Sequence, residues 1–259
     1  MVDIHCHILA GLDDGPKNFE QSVAMAEMAI ADGITHVVAT PHANAEFRFQ
    51  PDMIRERAAE LQLRFKGKLA LATGCDFHLS VENLRDFHAL PSKYTINQKC
   101  YLLVEFSDFS IPPNTDEVLH GIRLAGVFPI VTHPERNSLI RNRPEMLWKW
   151  MRMGCFVQIT AQSLLGKFGP KAEAAAKEWL DQDRMHFVAS DAHDAQKRPL
   201  KLKTAYDLVA TRRGQAIAGA LLRENPLAAF EGRPLPYQPE APPEQNEAHL
   251  PKKKRFGIF

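Results

Sequence analysis

The sequence predicts an α/β protein whose parallel strands form a closed or nearly closed barrel. Three observations carry that prediction. Seven short apolar runs alternate with helix-patterned segments, and each helical crossover returns the chain to the same end of a parallel sheet. The chain has 259 residues and is 45% hydrophobic, enough to bury one large core. Nine imidazole and carboxylate groups fall at or just after six of the run ends, the rim of a barrel on which side chains from distant parts of the sequence converge.

Each element has its own signature. In Asp3-Ile4-His5-Cys6-His7 the histidines stand two apart, so on an extended segment both point to one face and reach one metal ion. Val2, Ile4 and Ile8 suit a buried first strand, and the Gly11 to Gly15 turn folds a carboxylate back over its end. Asn18 with Gln21 is a capping-box pattern; Phe19, Val23, Ala26 and Ile30 form one stripe, and Gly33 stops the helix. Ile34 to Ala39 is the second strand and ends in Thr40-Pro41-His42. Pro51 opens a helix with Ile54, Ala58, Leu61 and Phe65 on one face. Leu69 to Thr73 leads into Gly74-Cys75-Asp76-Phe77-His78, and Tyr101 to Val104 delivers Glu105. A helix from Thr115 to Ala125 stops at Gly126, and Val127 to Val131 empties into Thr132-His133-Pro134-Glu135-Arg136. Pro144 opens a further helix. Cys155 to Ile159 is the sixth strand, followed by a loop with Gly166 and Gly169 and a helix from Lys171 to Leu180. His186 to Ala189 ends in Ser190-Asp191-Ala192-His193, and helices with Pro199 and Pro226 near their starts complete a domain of residues 1–233.

Beyond Arg233, prolines mixed with Glu and Gln read as an extended tail without its own core, residues 234–259. Its basic and aromatic end, residues 252–259, suits docking to a partner or an anionic membrane surface as well as simple solvation. A net charge of +1 gives no general basic face for nucleic acid, and no apolar run reaches the 18 residues of a membrane span. Met1 leads directly into the first strand with no basic and apolar leader, and the four cysteines are scattered through apolar runs, so a reducing cytoplasm is expected.

The candidate ligands are His5, His7, Asp14, His42, Asp76, Glu105, His133, Asp191 and His193. Histidines and carboxylates without thiolate suit a cluster of divalent Mn, Fe or Zn ions better than a structural zinc site. Ions about 3.5 to 4 Å apart are equipment for phosphoester hydrolysis. Arg136, just after His133, and Arg198, just after the Asp191 and His193 pair, lie close enough to clamp a phosphate, although lone arginines more often serve surface ion pairs. None of the cysteines has Arg six residues later, which excludes a cysteine-based tyrosine phosphatase.

Five segments carry a resemblance: Asp-Ile-His-Cys-His-Ile-Leu with Leu12-Asp13-Asp14-Gly15, Ala39-Thr40-Pro41-His42, Thr132 to Arg136, Gly166-Lys167-Phe168-Gly169 and Ser190 to His193. In order and spacing, from residue 2 to about 230, they resemble the PHP superfamily, and within it the metal-dependent protein-tyrosine phosphatases of the CpsB/CapC type. The resemblance implies a distorted (β/α)7 TIM-like barrel holding three ions, usually manganese. It implies His5, His7, Asp76 and Asp191 on the first ion, Asp76, Glu105 and His133 on the second, and Asp14, His42 and His193 on the third, with Arg136 and Arg198 on phosphate. Asp76 stands where the family typically carries Glu, one methylene longer, and His78 either compensates or stands behind the ligands. The implied substrate is a phosphotyrosine protein, a membrane-associated bacterial tyrosine kinase of capsule or exopolysaccharide synthesis, met in the cytoplasm or at the inner face of the membrane. Other outcomes of the same site are a histidinol-phosphate phosphatase, a nuclease, or a metal-stabilised interaction module without chemistry.

Overall fold

The computed structural model describes residues 1–243. Among the described residues nine strands occur: β1 (Val2–Cys6), β2 (His36–Ala39), β3 (His42–Ala43), β4 (Ala70–Thr73), β5 (Asp76–His78), β6 (Tyr101–Glu105), β7 (Phe128–Thr132), β8 (Phe156–Thr160) and β9 (Phe187–Ala189). They fall into two parallel sheets, β1-β2-β4 and β3-β5-β6-β7-β8-β9. β3 continues the path of β2 after Thr40-Pro41, and β5 continues that of β4 after Gly74-Cys75, so the nine segments follow the seven expected strand paths. Proline offers no N–H to a ladder, which is why the second path breaks at Pro41. Gly74 N to Ala39 O (2.8 Å) and Asp76 N to Pro41 O (3.2 Å) carry the pairing across both breaks.

The ring closes at its carboxyl rim. Asp191 N donates to His5 O (2.9 Å) and His7 N to Ala192 O (2.8 Å), joining the exit of β9 to that of β1. Below that rim a side chain replaces the ladder: the buried Asp3 carboxylate accepts from Ser190 N (3.0 Å) and from the Ser190 hydroxyl. Burial pushes the Asp3 pKa up to about 6. Val2, Ile4, Val38, Leu103, Ile130, Phe156 and Phe187 fill the interior, and Ala228, Ala229 and Leu235 cap it from below. The larger apolar layer lies between the strands and the surrounding helices.

Helices form where their stripes and caps predict, and two differences stand out. Residues 79–100 hold an unpredicted helix, Val81–Ala89, capped by Ser80 Oγ accepting from Asn83 N (3.1 Å). The helix expected to start near Pro199 runs Lys203–Arg213, because Asp32 reaches over from another helix end to accept from Leu202 N (2.6 Å) and Lys203 N (2.8 Å). Pro226 lies in the first turn of Asn225–Glu231, as expected. Residues 234–243 lie along the body: Asn225 exchanges hydrogen bonds with the Tyr237 backbone, Arg184 donates to Glu240 O (2.8 Å) and Arg152 to Pro242 O (2.8 Å). The docking segment expected at residues 252–259 lies outside the described residues. Among the described residues no helix is long and apolar enough to cross a membrane.

Candidate metal centre

All nine singled-out imidazole and carboxylate residues meet at the carboxyl rim. β1 carries a bulge between Asp3 and Cys6, and this extra residue shifts its phase. Val2 and Ile4 therefore face the apolar interior while His5 and His7, out of step with them, face the same cavity higher up. His5 Nδ1 donates to Gln158 Oε1 (2.8 Å), His7 Nδ1 to the Asp13 carboxylate (2.7 Å) and His193 Nδ1 to Asp191 O (3.0 Å). These oxygens can only accept, so Nδ1 carries a proton and Nε2 is the nitrogen that each ring turns toward the cavity. The Nε2 atoms of His5 and His7 are 3.4 Å apart. Two ligands about 2.1 Å from a shared ion at a near-tetrahedral angle are separated by about that distance.

The carboxylates close around these rings. Asp191 Oδ1 stands 3.4 Å from His5 Nε2 and 3.6 Å from His7 Nε2, and Asp76 Oδ2 stands 3.5 Å from His5 Nε2. Glu105 Oε1 is 3.3 Å from His133 Nε2; Asp14 Oδ1 is 3.3 Å from His193 Nε2 and 3.5 Å from His42 Nε2. Four sets bring ligand atoms within 4.8 Å of one another: His5-His7-Asp76, Asp76-Glu105-His133, His7-Asp14-His42-His193 and His42-His78-Glu105. The last joins His78 to the cluster, through a hydrogen bond from its Nε2 to Glu105. Burial alone would lower the His5 pKa, but the charges of Asp76 and Asp191 outweigh it and hold it up at about 9. Burial, reinforced by His193, lowers that of His7 to about 4.

The polar atoms converge without pairing. His42 Nδ1 comes within 3.1 Å of Asp76 Oδ2 and 3.3 Å of Glu105 Oε2, yet the alignment makes neither approach a hydrogen bond. Both Asp76 oxygens and His133 Nε2 are likewise buried without a hydrogen-bond partner. Buried polar atoms in a folded protein are satisfied as a rule, and an unpaired buried carboxylate is costly. Divalent cations satisfy the whole set at once, so these residues fit the metal ions that their chemistry suggests.

His133 (φ 33°) and Asp191 (φ 53°) both leave their strands in the left-handed region, a strained conformation found at functional sites. On the outer side Arg136 Nη1 donates to Asp191 Oδ2 (2.5 Å), and Arg198 Nη2 bonds the same oxygen. Burial opposes ionisation of Asp191, but His5, Arg198 and Arg136 hold its carboxyl well below the usual range. Sequence reasoning gave no role to Asp13 or Gln158, the acceptors that orient His7 and His5. Each left a signal: Asp13 doubles the carboxylate of the turn, and Gln158 is a polar residue inside an otherwise apolar strand.

A parallel α/β barrel with histidines and carboxylates gathered at its carboxyl rim is the layout of a metal-dependent hydrolase. The chain belongs to the CpsB/CapC family of capsular polysaccharide synthesis, whose model matches residues 1–231. It is 31% identical over 263 residues to the tyrosine-protein phosphatase YwqE of Bacillus subtilis, covering 100% of both chains. It is 33% identical to the putative tyrosine-protein phosphatase CapC of Staphylococcus aureus, over 80% of this chain and 82% of that one. Its structure superposes with a TM-score of 0.86 and 30% identity on a crystal structure from a study of YwqE from B. subtilis and CpsB from Streptococcus pneumoniae, described as unique metal-dependent tyrosine phosphatases; 95% of this chain and 100% of that one are covered. A histidinol phosphate phosphatase of Lactococcus lactis shares the fold alone, at a TM-score of 0.56 and 13% identity over 85% of this chain and 94% of that one.

Proposed function

We propose that this chain is a metal-dependent protein-tyrosine phosphatase that hydrolyses phosphotyrosine on a bacterial tyrosine kinase of capsular or exopolysaccharide synthesis. The observation that carries the reading is the set of buried, unpaired carboxylate and imidazole atoms bordered by two guanidinium groups. Its relatives named tyrosine-protein phosphatases and the family's description supply the substrate class.

In this reading His5, His7, Asp76 and Asp191 hold one ion, Asp76, Glu105 and His133 a second, and Asp14, His42 and His193 a third, with manganese the favoured metal and Fe or Zn the other candidates. When bound, the ions supply Lewis acidity toward the phosphoryl group and activate water. Asp13 and Gln158 keep the ring protons of His7 and His5 on Nδ1, and His78 orients Glu105. Arg136 and Arg198 bind the phosphoryl oxygens in planar, forked geometry and stabilise charge that grows as the ester bond breaks. Tyrosine phenolate, with a pKa near ~10, leaves with less proton assistance than an alkoxide. The enzyme works in the cytoplasm or at the inner membrane face, where its kinase substrate resides.

The test is hydrolysis of a phosphotyrosine peptide beside histidinol phosphate, by protein stripped with chelator and reloaded separately with Mn and Zn. Metal-restored activity that favours the peptide supports the reading. Activity on histidinol phosphate alone keeps the site and replaces the function.

A further inference from the structure

Phe168 sits between the two arginines. Its ring centroid is 4.7 Å from Arg136 Cζ and 5.8 Å from Arg198 Cζ, both within the range of cation–π attraction. The topology places it there: Arg136 follows β7, Phe168 follows β8 and Arg198 follows β9, three neighbouring strands. The loop that carries the ring is tightly built. Lys167 N donates to Gln162 O (2.9 Å) and Gly169 N to Gly166 O (3.2 Å). Gly166 and Gly169 have φ of +77° and +86°, and a Cβ on Gly166 would meet Glu173 Oε2 at 2.8 Å. Phe168 is therefore held from its own side of the contact.

The ring complements the carboxylates that these arginines meet, Asp191 for both and, for Arg136, also Asp108, whose Oδ1 stands 3.7 Å from Nε. Both guanidinium groups end on one oxygen, Asp191 Oδ2, so two like charges are drawn together. Each also buries its Nε without a hydrogen-bond partner. An aromatic face attracts both cations at once and offers no acceptor that would compete for the N–H groups a phosphate must use.

We propose that Phe168 is a positioning residue that holds Arg136 and Arg198 together as one two-pronged anion clamp. The inference rests on the phosphatase reading only in taking the bound anion to be a phosphate monoester. The test uses full-length Mn-loaded protein, inorganic phosphate as a calorimetric probe, and steady-state hydrolysis of a phosphotyrosine peptide. Phe168→Leu keeps apolar bulk and removes the π face; it is expected to weaken phosphate binding and raise KM about tenfold, with kcat changed less than about threefold and metal content unchanged. Phe168→Tyr is expected to stay within about twofold of the parent in both.

Phosphate affinity unaltered in Phe168→Leu overturns the proposal, as does a Phe168→Tyr variant impaired as badly as the leucine one. Loss of metal in Phe168→Leu overturns it too, because the ring would then belong to the framework of the cluster. Where the leucine variant does not fold, Phe168→Met takes its place under the same criteria. Phosphate binding that depends on Phe168, in a protein that leaves phosphotyrosine peptide intact, refutes the function and keeps the clamp. Peptide hydrolysis indifferent to Phe168 does the reverse.

Discussion

Replacing Gln158 with leucine separates metal affinity from fold stability. Gln158 is fully buried; its Oε1 accepts from His5 Nδ1 at 2.8 Å, while its own Nε2 is buried without a partner. In Gln158→Leu, His5 loses its acceptor, at a cost of about 1–3 kcal/mol for a buried unsatisfied donor. The fold also loses an unsatisfied amide nitrogen, a gain of similar size, so the metal-free protein is expected to keep its stability within about 1 kcal/mol. The metal-bound state has no such offset. A ligand imidazole without its outer acceptor is less basic and free to turn, which typically weakens metal binding about 10- to 100-fold. Gln158→Glu, which keeps an acceptor, is expected to retain the metal. The assay is metal content by mass spectrometry after dialysis against graded chelator, with urea unfolding of stripped protein as the control. Metal retention in Gln158→Leu equal to that of the parent would refute the claim that this hydrogen bond prepares His5 as a ligand.

Arg198→Lys exchanges a planar fork for a point charge and is expected to lower kcat/KM for the peptide about 10- to 100-fold with metal content intact, as read by steady-state kinetics. Gly15→Ala would set a Cβ 2.4 Å from His7 O and 3.1 Å from His7 Cβ, so a destabilisation of about 1–3 kcal/mol and weaker metal retention are expected in denaturant and metal-content measurements. His186 is buried and accepts from Val157 N (3.1 Å), and burial lowers its pKa to about 3. Between that value and the ordinary ~6.5 only the unfolded chain takes up the proton, so its contribution is complete above ~6.5 and falls with pH. At pH ~5 the loss is about 2 kcal/mol, and urea titrations of the parent and His186→Gln at pH ~5 and ~7.5 should differ by that slope. The comparison cancels Asp3, whose raised pKa acts with opposite sign, its stabilisation fading as pH rises through about 6.

Strands and site were legible for the same reason. An inward strand of a small barrel switches from apolar to polar residues where the interior opens, and proline or glycine marks the exit, as in Thr40-Pro41-His42 and Gly74-Cys75-Asp76. What stayed hidden depends on long-range partners. Nothing near Leu202 announces that Asp32 will cap its helix, and nothing near Asp3 shows that its carboxylate will bond Ser190 across 187 positions. The β1 bulge was equally hidden: strict alternation puts Ile4 and His5 on opposite faces, and only pairing with β2 reveals the extra residue. The three-ion grouping read from the resemblance kept Asp14, His42 and His193 apart from His7, while in the folded chain His7 lies within reach of that set.

The seam between β1 and β9 also dictates an order of events during synthesis. Its hydrogen bonds join residues 3–7 to residues 190–192, and Asp191 and His193 add cluster side chains on the same turn. Contacts of such sequence separation form late, after the local β/α units have condensed. A nascent chain that has not yet released Asp191 and His193 from the ribosome lacks both the last stave of the barrel and the last residues of the metal cluster. The centre is therefore withheld until nearly the whole domain has emerged, so that the protein cannot be active while half made.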